Sequence, residues 1–115
     1  MTKYKRGDVV LVRFIFTDES GIKRRPALII SSDAYNQHRQ ETIISAITSR
    51  LDRTLIGDYL MKKWQEAGLL SPSVATGIIR TIKQSMIDHK LGTMPRDELE
   101  EIDTQLRIAL ELKSR

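Results

Sequence analysis

Gly7-Asp8-Val9-Val10-Leu11-Val12-Arg13-Phe14, Arg24-Arg25-Pro26-Ala27-Leu28-Ile29-Ile30-Ser31 and Thr42-Ile43-Ile44-Ser45-Ala46-Ile47-Thr48-Ser49 are the stretches that decide the fold of this chain. Each is rich in Val, Ile or Leu, and turn-forming residues separate them, the pattern of successive strands. The second run opens on two arginines and the third closes on two hydroxyls. Antiparallel pairing brings the start of one strand beside the end of its neighbour. A cation would then stand next to a hydroxyl at the rim of a small sheet, a pairing suited to gripping a phosphate.

Working outward, the first strand is expected over Asp8 to Phe16. Val10, Val12, Phe14 and Phe16 fall on one face; Val9, Leu11, Arg13 and Ile15 fall on the other. Two largely apolar faces suit a strand in a small closed barrel, or one covered by a partner. Thr17 to Gly21 reads as a turn, and Pro26, which donates no backbone hydrogen bond, places the start of the second strand at an edge or bulge. Residues 31–39 read as a connection in which Asp33 caps a short turn. Leu55 to Leu60 reads as a short strand, Lys62 to Ala67 as a brief helix stopped by Gly68, and Val74 to Ile82 as a late strand interrupted by Gly77. The final element is a helix. Pro95 stands near its start, Asp97, Glu98, Glu100 and Glu101 fill its first turns, Lys113 and Arg115 close it, and Leu99, Ile102, Leu106 and Ala109 give one apolar face. The expected architecture is mainly β: a small β-barrel with a C-terminal helix packed on it.

At 115 residues the chain is the size of one domain, expected over 1–115 with a single core. The absence of cysteine excludes a disulfide scaffold and a thiolate metal site. No apolar run approaches the roughly 20 residues of a membrane-spanning helix, and the polar start Met1-Thr2-Lys3-Tyr4-Lys5-Arg6 does not read as a signal peptide. No membrane association and a cytoplasmic location are the expectations. Lys plus Arg number 19 against 15 Asp plus Glu. Twelve of those cations lie before Trp64, whereas acids cluster over Asp97 to Glu101. The β-rich half is therefore the basic half, which points to a polyanionic partner, although charge by itself leaves ordinary solubilising charge the leading reading.

The motifs that are missing narrow the chemistry. There is no Walker-type phosphate loop, no Cys-x-x-Cys and no His-x-x-x-His. His38 and His89 read as ordinary surface histidines, and Asp8, Asp58 and Asp88 as turn-capping carboxylates rather than metal ligands. No cofactor and no metal are expected. Arg24, Arg25, Thr48 and Ser49 remain. Cleavage of RNA by its own 2′-hydroxyl requires a proton acceptor, a cation for charge gathering on phosphorus, and a proton for the leaving oxygen. Arginine suits the second task because its planar fork binds phosphate oxygens and keeps its charge. A threonine hydroxyl can orient a phosphate oxygen. Composition by itself favours the plainer reading, in which the arginines are solvated strand ends and Thr48 sits where strand propensity puts it.

The order of several segments goes further. Arg6-Gly7-Asp8-Val9-Val10-Leu11-Val12, Arg25-Pro26-Ala27-Leu28-Ile29-Ile30-Ser31, Tyr35-Asn36, Ile47-Thr48-Ser49 and, more weakly, Gly57-Asp58-Tyr59 with Arg80-Thr81-Ile82 together resemble the MazF/PemK family of toxin ribonucleases. The resemblance implies an SH3-like barrel, a homodimer, metal-free and sequence-selective cleavage of single-stranded RNA, and neutralisation by a cognate antitoxin. It places the family's catalytic arginine on Arg25 and its catalytic threonine on Thr48. Lys23, Arg24, Ser49, Arg50 and Arg53 become candidates for gripping RNA. Some members carry an acid shortly after a late-strand arginine and use both in catalysis; here Arg80 is followed by Thr81, Ile82 and Lys83. Two other functions compete: a non-catalytic SH3-like module that binds nucleic acid or a protein partner, and a purely structural dimerisation domain. Small barrels host many functions, so the fold does not choose among them. For the dimer, the two-faced first strand, the late strands or the C-terminal helix are the expected seam.

Overall fold

The computed structural model describes residues 4–15, 21–52 and 54–113. Six strands form one antiparallel sheet: β1 (Asp8–Ile15), β2 (Ile22–Ile29), β3 (Glu41–Thr48), β4 (Tyr59–Leu60), β5 (Val74–Lys83) and β6 (Ile87–Thr93). Their spatial order is β4-β5-β3-β2-β1-β6. A short helix α1 (Asp33–His38) joins β2 to β3, and a long helix α2 (Arg96–Leu110) ends the chain. The mainly β architecture with its C-terminal helix is the one expected. The sheet is not closed, however: β4 and β6 are its two edges, so it wraps its core without the hydrogen bonds that would complete a barrel.

Strand alternation sorts the core into two clusters. Val9 on β1 and Leu28 on β2 join Ile47, Met61, Ala67, Leu69, Ala75 and Met94 beneath Ile102 and Leu106 of α2. Val10 and Val12 point the other way, into Ala27, Ile29, Ile44, Ile82 and Ile87. Val9, Val10 and Val12 are thus buried inside the subunit from both faces of β1, while Leu11 and Phe14 are only half-buried. Phe16, placed in this strand by its sequence, lies outside the described residues.

Arg6-Gly7-Asp8 fastens the start of β1. The Gly7 amide donates to the Ile29 carbonyl and its own carbonyl accepts from Met94, at 2.9 and 2.8 Å. Asp8 accepts from the Lys5 amide at 2.8 Å. Arg6 donates Nε to the Ile30 carbonyl at 3.0 Å and pairs with Asp103 of α2. Tyr35-Asn36 serves a similar end, because buried Asn36 Oδ1 accepts from the hydroxyls of Ser31 and Thr42. These segments shape the scaffold.

Several local expectations change. Ser32 rather than Asp33 caps α1, accepting from the Tyr35 amide at 3.0 Å, while Asp33 accepts from the Arg6 amide. The short strand shrinks to Tyr59–Leu60, since Leu55 to Asp58 form a turn. Lys62 to Ala67 make turns, not a helix, although Gly68 does adopt the positive φ of 88° that ends such a segment. The expected break near Gly77 is a register shift between β3 and β5, where Ser45 and Thr76 donate their hydroxyls to the carbonyls of Thr76 and Ala46. Strand β6 is new: its polar sequence carries no period-2 signal. At the C-terminus α2 stops at Leu110, with Glu111 left-handed at φ 55°. Arg107 is the cation of the last turn, Lys113 follows the helix, and Arg115 lies outside the described residues.

Candidate active site

The β2–β3 ladder pairs Ala27 with Ala46, Leu28 with Ser45 and Ile29 with Ile44, and begins no earlier than Ala27. Upstream of it, Ile22 to Pro26 pair with β1 alone. Pro26 has no amide to offer a neighbour. Its place just outside the ladder explains why the strands part there, and agrees with the edge-like position expected of it. Continuing the register past the last pair sets Arg25 opposite Thr48 and Arg24 opposite Ser49. Alternation puts the two members of each pair on a common face.

The parting of the strands opens a cleft of about 550 Å³. Arg24, Arg25, Thr48 and Ser49 all line it, so the four residues singled out by sequence meet in one place. Leu11, Pro26, Ile47 and Leu91 form its apolar wall, and Gly68, Leu69, Leu70, Ser71 and Ser73 form the opposite lip. That lip is held close by two glycines: a Cβ on Gly68 would strike the Leu91 carbonyl, and one on Gly92 would strike the Ala67 carbonyl. The turns that lead into the lip are fastened by Glu98, buried in the first turn of α2, whose Oε1 accepts the amides of Lys62 and Lys63 at 2.7 and 3.0 Å. Burial and this carboxylate push the neighbouring Tyr59 phenol up to about 12.

The two arginines differ in company. Arg24 Nε lies 3.5 Å from the Asp88 carboxylate. Arg25 has no ion-pair partner among the described residues; its Nη1 donates to the Arg24 carbonyl at 3.1 Å. An exposed guanidinium with no carboxylate to satisfy it is available to an incoming anion. Thr48 Oγ1 accepts from the Arg50 amide at 3.1 Å, which orients the hydroxyl and leaves its proton to donate. Among the described residues no carboxylate or imidazole lines the cleft.

The remaining candidates divide. Lys23 is exposed on β2, opposite Phe14, and is not part of the lining. Arg50 is engaged by Asp52 at 3.0 Å in a fully solvated pair beside the cleft; the side-chain hydrogen bond with Arg50 lowers the Asp52 pKa. Arg53 lies outside the described residues. His38 and His89 are exposed and line no part of the cleft. Asp58 does cap a turn, accepting from the amides of Leu55 and Gly77. Asp88 does not: it pairs with Arg13, Arg24 and His89. Arg80 stacks over the Phe14 ring at 4.8 Å and is likewise outside the lining. Among the described residues no three His, Asp or Glu side chains gather as a metal site.

Sequence reasoning missed the Gly68–Ser73 lip and Asp88. Gly68-Leu69-Leu70-Ser71-Pro72-Ser73 has neither helical nor strand period, so the only signal was two leucines left without an apolar face to join.

Residues 5–110 match the family described as PemK-like, MazF-like toxin of type II toxin–antitoxin system. The chain belongs to this family. An endoribonuclease in complex with its cognate antitoxin, from a mycobacterial species, has a similar fold, with a TM-score of 0.76 at 24% identity over 97% of this chain and 99% of the other. A MazE–MazF crystal structure from Deinococcus radiodurans superposes with a TM-score of 0.79 at 23% identity, covering 96% and 97%. Another crystal form of MazE–MazF from that organism gives 0.76 at 25% identity over 96% and 98%. The PemK/MazF-like fold thus accounts for nearly the whole chain, including the strands that part at the cleft.

Proposed function

We propose that this PemK/MazF-like toxin is an endoribonuclease that cleaves single-stranded RNA in the cleft between β2 and β3, without a metal, and that a cognate antitoxin neutralises it. The observation that carries the reading is the cleft where β2 and β3 part, lined by Thr48 and by Arg25, which has no acidic partner among the described residues. In this mechanism the 2′-oxygen attacks the adjacent phosphorus and the 5′-oxygen leaves with a proton. The products are a cyclic phosphate on the upstream fragment and a free 5′-hydroxyl downstream. Arg25 neutralises the charge that builds on the equatorial oxygens, and Thr48 donates its hydroxyl proton to one of them. Arg24 and Ser49 hold flanking backbone, with Lys23, Arg50 and Arg53 along the approach. The target is single-stranded because the deep groove of an RNA duplex hides base edges. This set of roles favours the enzyme over the non-catalytic binding module, which has no need of an oriented hydroxyl opposite a free cation.

An antitoxin with an acidic, partly disordered tail suits the same basic cleft. The chain acts as a homodimer in this reading, and exposed apolar residues on β5 and α2 are the surface proposed for its seam. Gly57 rests against Gly77 and Ala109, which brings the flanking Ile56, Ile78 and Ile108 into one patch. Among the described residues no helix is long and apolar enough to cross a membrane, and we infer action in the cytoplasm, where RNA is accessible. The deciding experiment is digestion of single-stranded RNA in excess chelator, with mapping of the new ends. Cyclic phosphate termini are expected. Activity that disappears with chelator and returns with magnesium refutes the metal-free mechanism.

A further inference from the structure

Of the two arginines in the cleft, Arg24 alone has a carboxylate partner among the described residues, and that carboxylate is shared. The β1–β2 register sets Arg13 directly opposite Arg24, a like-charge pairing that an isolated hairpin disfavours. Strand β6 flanks β1 on its other side and delivers Asp88 to both. The Asp88 oxygens lie 3.5 Å from Arg24 Nε, 3.9 Å from Arg13 Nε and 3.1 Å from His89 Nδ1. The side chain is about a third exposed, so solvent and incoming anions reach it.

We propose that Asp88 is a counter-ion brake on the toxin's grip of the nucleic-acid backbone: it occupies Arg24 and Arg13, so that among the described residues Arg25 is the uncompensated cation offered by the cleft. A phosphate chain must compete with Asp88 for the two braked arginines, whereas a phosphate seated at Arg25 and Thr48 competes with nothing. Binding then depends on placing one phosphate at the reacting position more than on backbone charge in general. This inference rests on the nuclease reading for its biological meaning. The electrostatic competition itself concerns any phosphate chain.

The test is equilibrium binding of a mixed-sequence 2′-O-methyl RNA oligonucleotide, which lacks the attacking hydroxyl, and of linear inorganic polyphosphate, each across a salt series. Asp88→Asn is expected to bind both about three- to tenfold more tightly at low salt, with a salt slope steeper by about 0.7, the increment of one added phosphate contact on a single strand. Asp88→Glu keeps the charge and should return the slope to that of the wild type, a readout that a merely structural role would not move. The gain of Asp88→Asn should vanish when Arg24 and Arg13 are both changed to Ala. Unchanged affinity and slope in Asp88→Asn, or a gain that persists in the double-alanine background, overturns the proposal. Failure of the wild type to bind the oligonucleotide, with the polyphosphate responses intact, overturns the nuclease reading and leaves the brake standing.

Discussion

Replacing Arg25 by Ala removes the one cleft arginine with no acidic partner among the described residues. Two quantities follow from its surroundings. The side chain is exposed, and among the described residues its one hydrogen bond goes to the preceding carbonyl, so the cost in stability should stay within about 0.5 kcal/mol. In the proposed mechanism its charge acts on the phosphate held at Thr48, and losing a preorganised donor of this kind costs about 10²–10³ in rate, or about 2.7–4 kcal/mol of transition-state stabilisation. Arg24→Ala is the matched control. It breaks an exposed pair with Asp88, a change typically of about 0–1 kcal/mol, and should weaken RNA binding by leaving Asp88 uncompensated, with a salt dependence shallower by less than one phosphate contact because Asp88 already occupies this arginine. Thr48→Val keeps the shape and removes the hydroxyl, and should resemble Arg25→Ala in rate. Single-turnover cleavage of a fluorogenic single-stranded RNA at saturating enzyme separates the chemical step from binding. Thermal unfolding and circular dichroism verify the fold. If Arg25→Ala cleaves within threefold of the wild type while Arg24→Ala is inactive, the register that places Arg25 across from Thr48 is wrong, and the site assignment falls with it.

Glu98→Ala strips the acceptor from the Lys62 and Lys63 amides and should cost about 2–4 kcal/mol, roughly 10 °C in Tm, with Glu98→Gln losing less than half of that; a Tm within 2 °C of wild type for the alanine variant refutes the anchoring role. The Tyr59 phenol is raised to about 12 by burial and by Glu98, so its protonated form is favoured in the folded state. The stability this provides is full below about pH 10 and is lost as pH rises towards 12; Tyr59→Phe should flatten the decline in denaturant midpoint over that window, and an unchanged decline refutes the linkage. Ile78→Asp, on the exposed β5 and α2 patch, should shift sedimentation from twice the 13.2 kDa chain mass to the monomer; a wild-type protein that already sediments as a monomer at micromolar concentration refutes the dimer.

The elements legible in the sequence are those whose own residues carry a period. The strands β1, β2, β3 and β5 have enough Val, Ile and Leu to announce themselves, and α2 repeats Leu99, Ile102 and Leu106 behind an acidic first turn. Strand β6 was illegible because Ile87-Asp88-His89-Lys90-Leu91-Gly92-Thr93 lies at a sheet edge and is ordered by β1 and by the close seat of Gly92 against Ala67. The turns at 62–67 have a helix-like composition, but Glu98 captures their first amides, a partner that no local pattern contains. The apolar faces of β1 were legible as well, yet not what covers them: the packing of β3, β5, β6 and α2 does so within one subunit.

For the site, the sequence by itself determined which groups would meet. Cations at a strand start and hydroxyls at a strand end become neighbours if those two strands pair antiparallel, so local chemistry made Arg24, Arg25, Thr48 and Ser49 candidates and the family resemblance gave Arg25 and Thr48 their roles. Only the tertiary structure decided what each would do. The ladder ends at Ala27 and Ala46, which opens space beside Arg25 and Thr48 where a continued sheet would have closed it. A strand from the far end of the chain brings Asp88 to Arg24 and leaves Arg25 without an acidic partner among the described residues. Charge compensation depends on distances of a few ångströms between residues remote in sequence, and those distances exist only once the sheet is assembled.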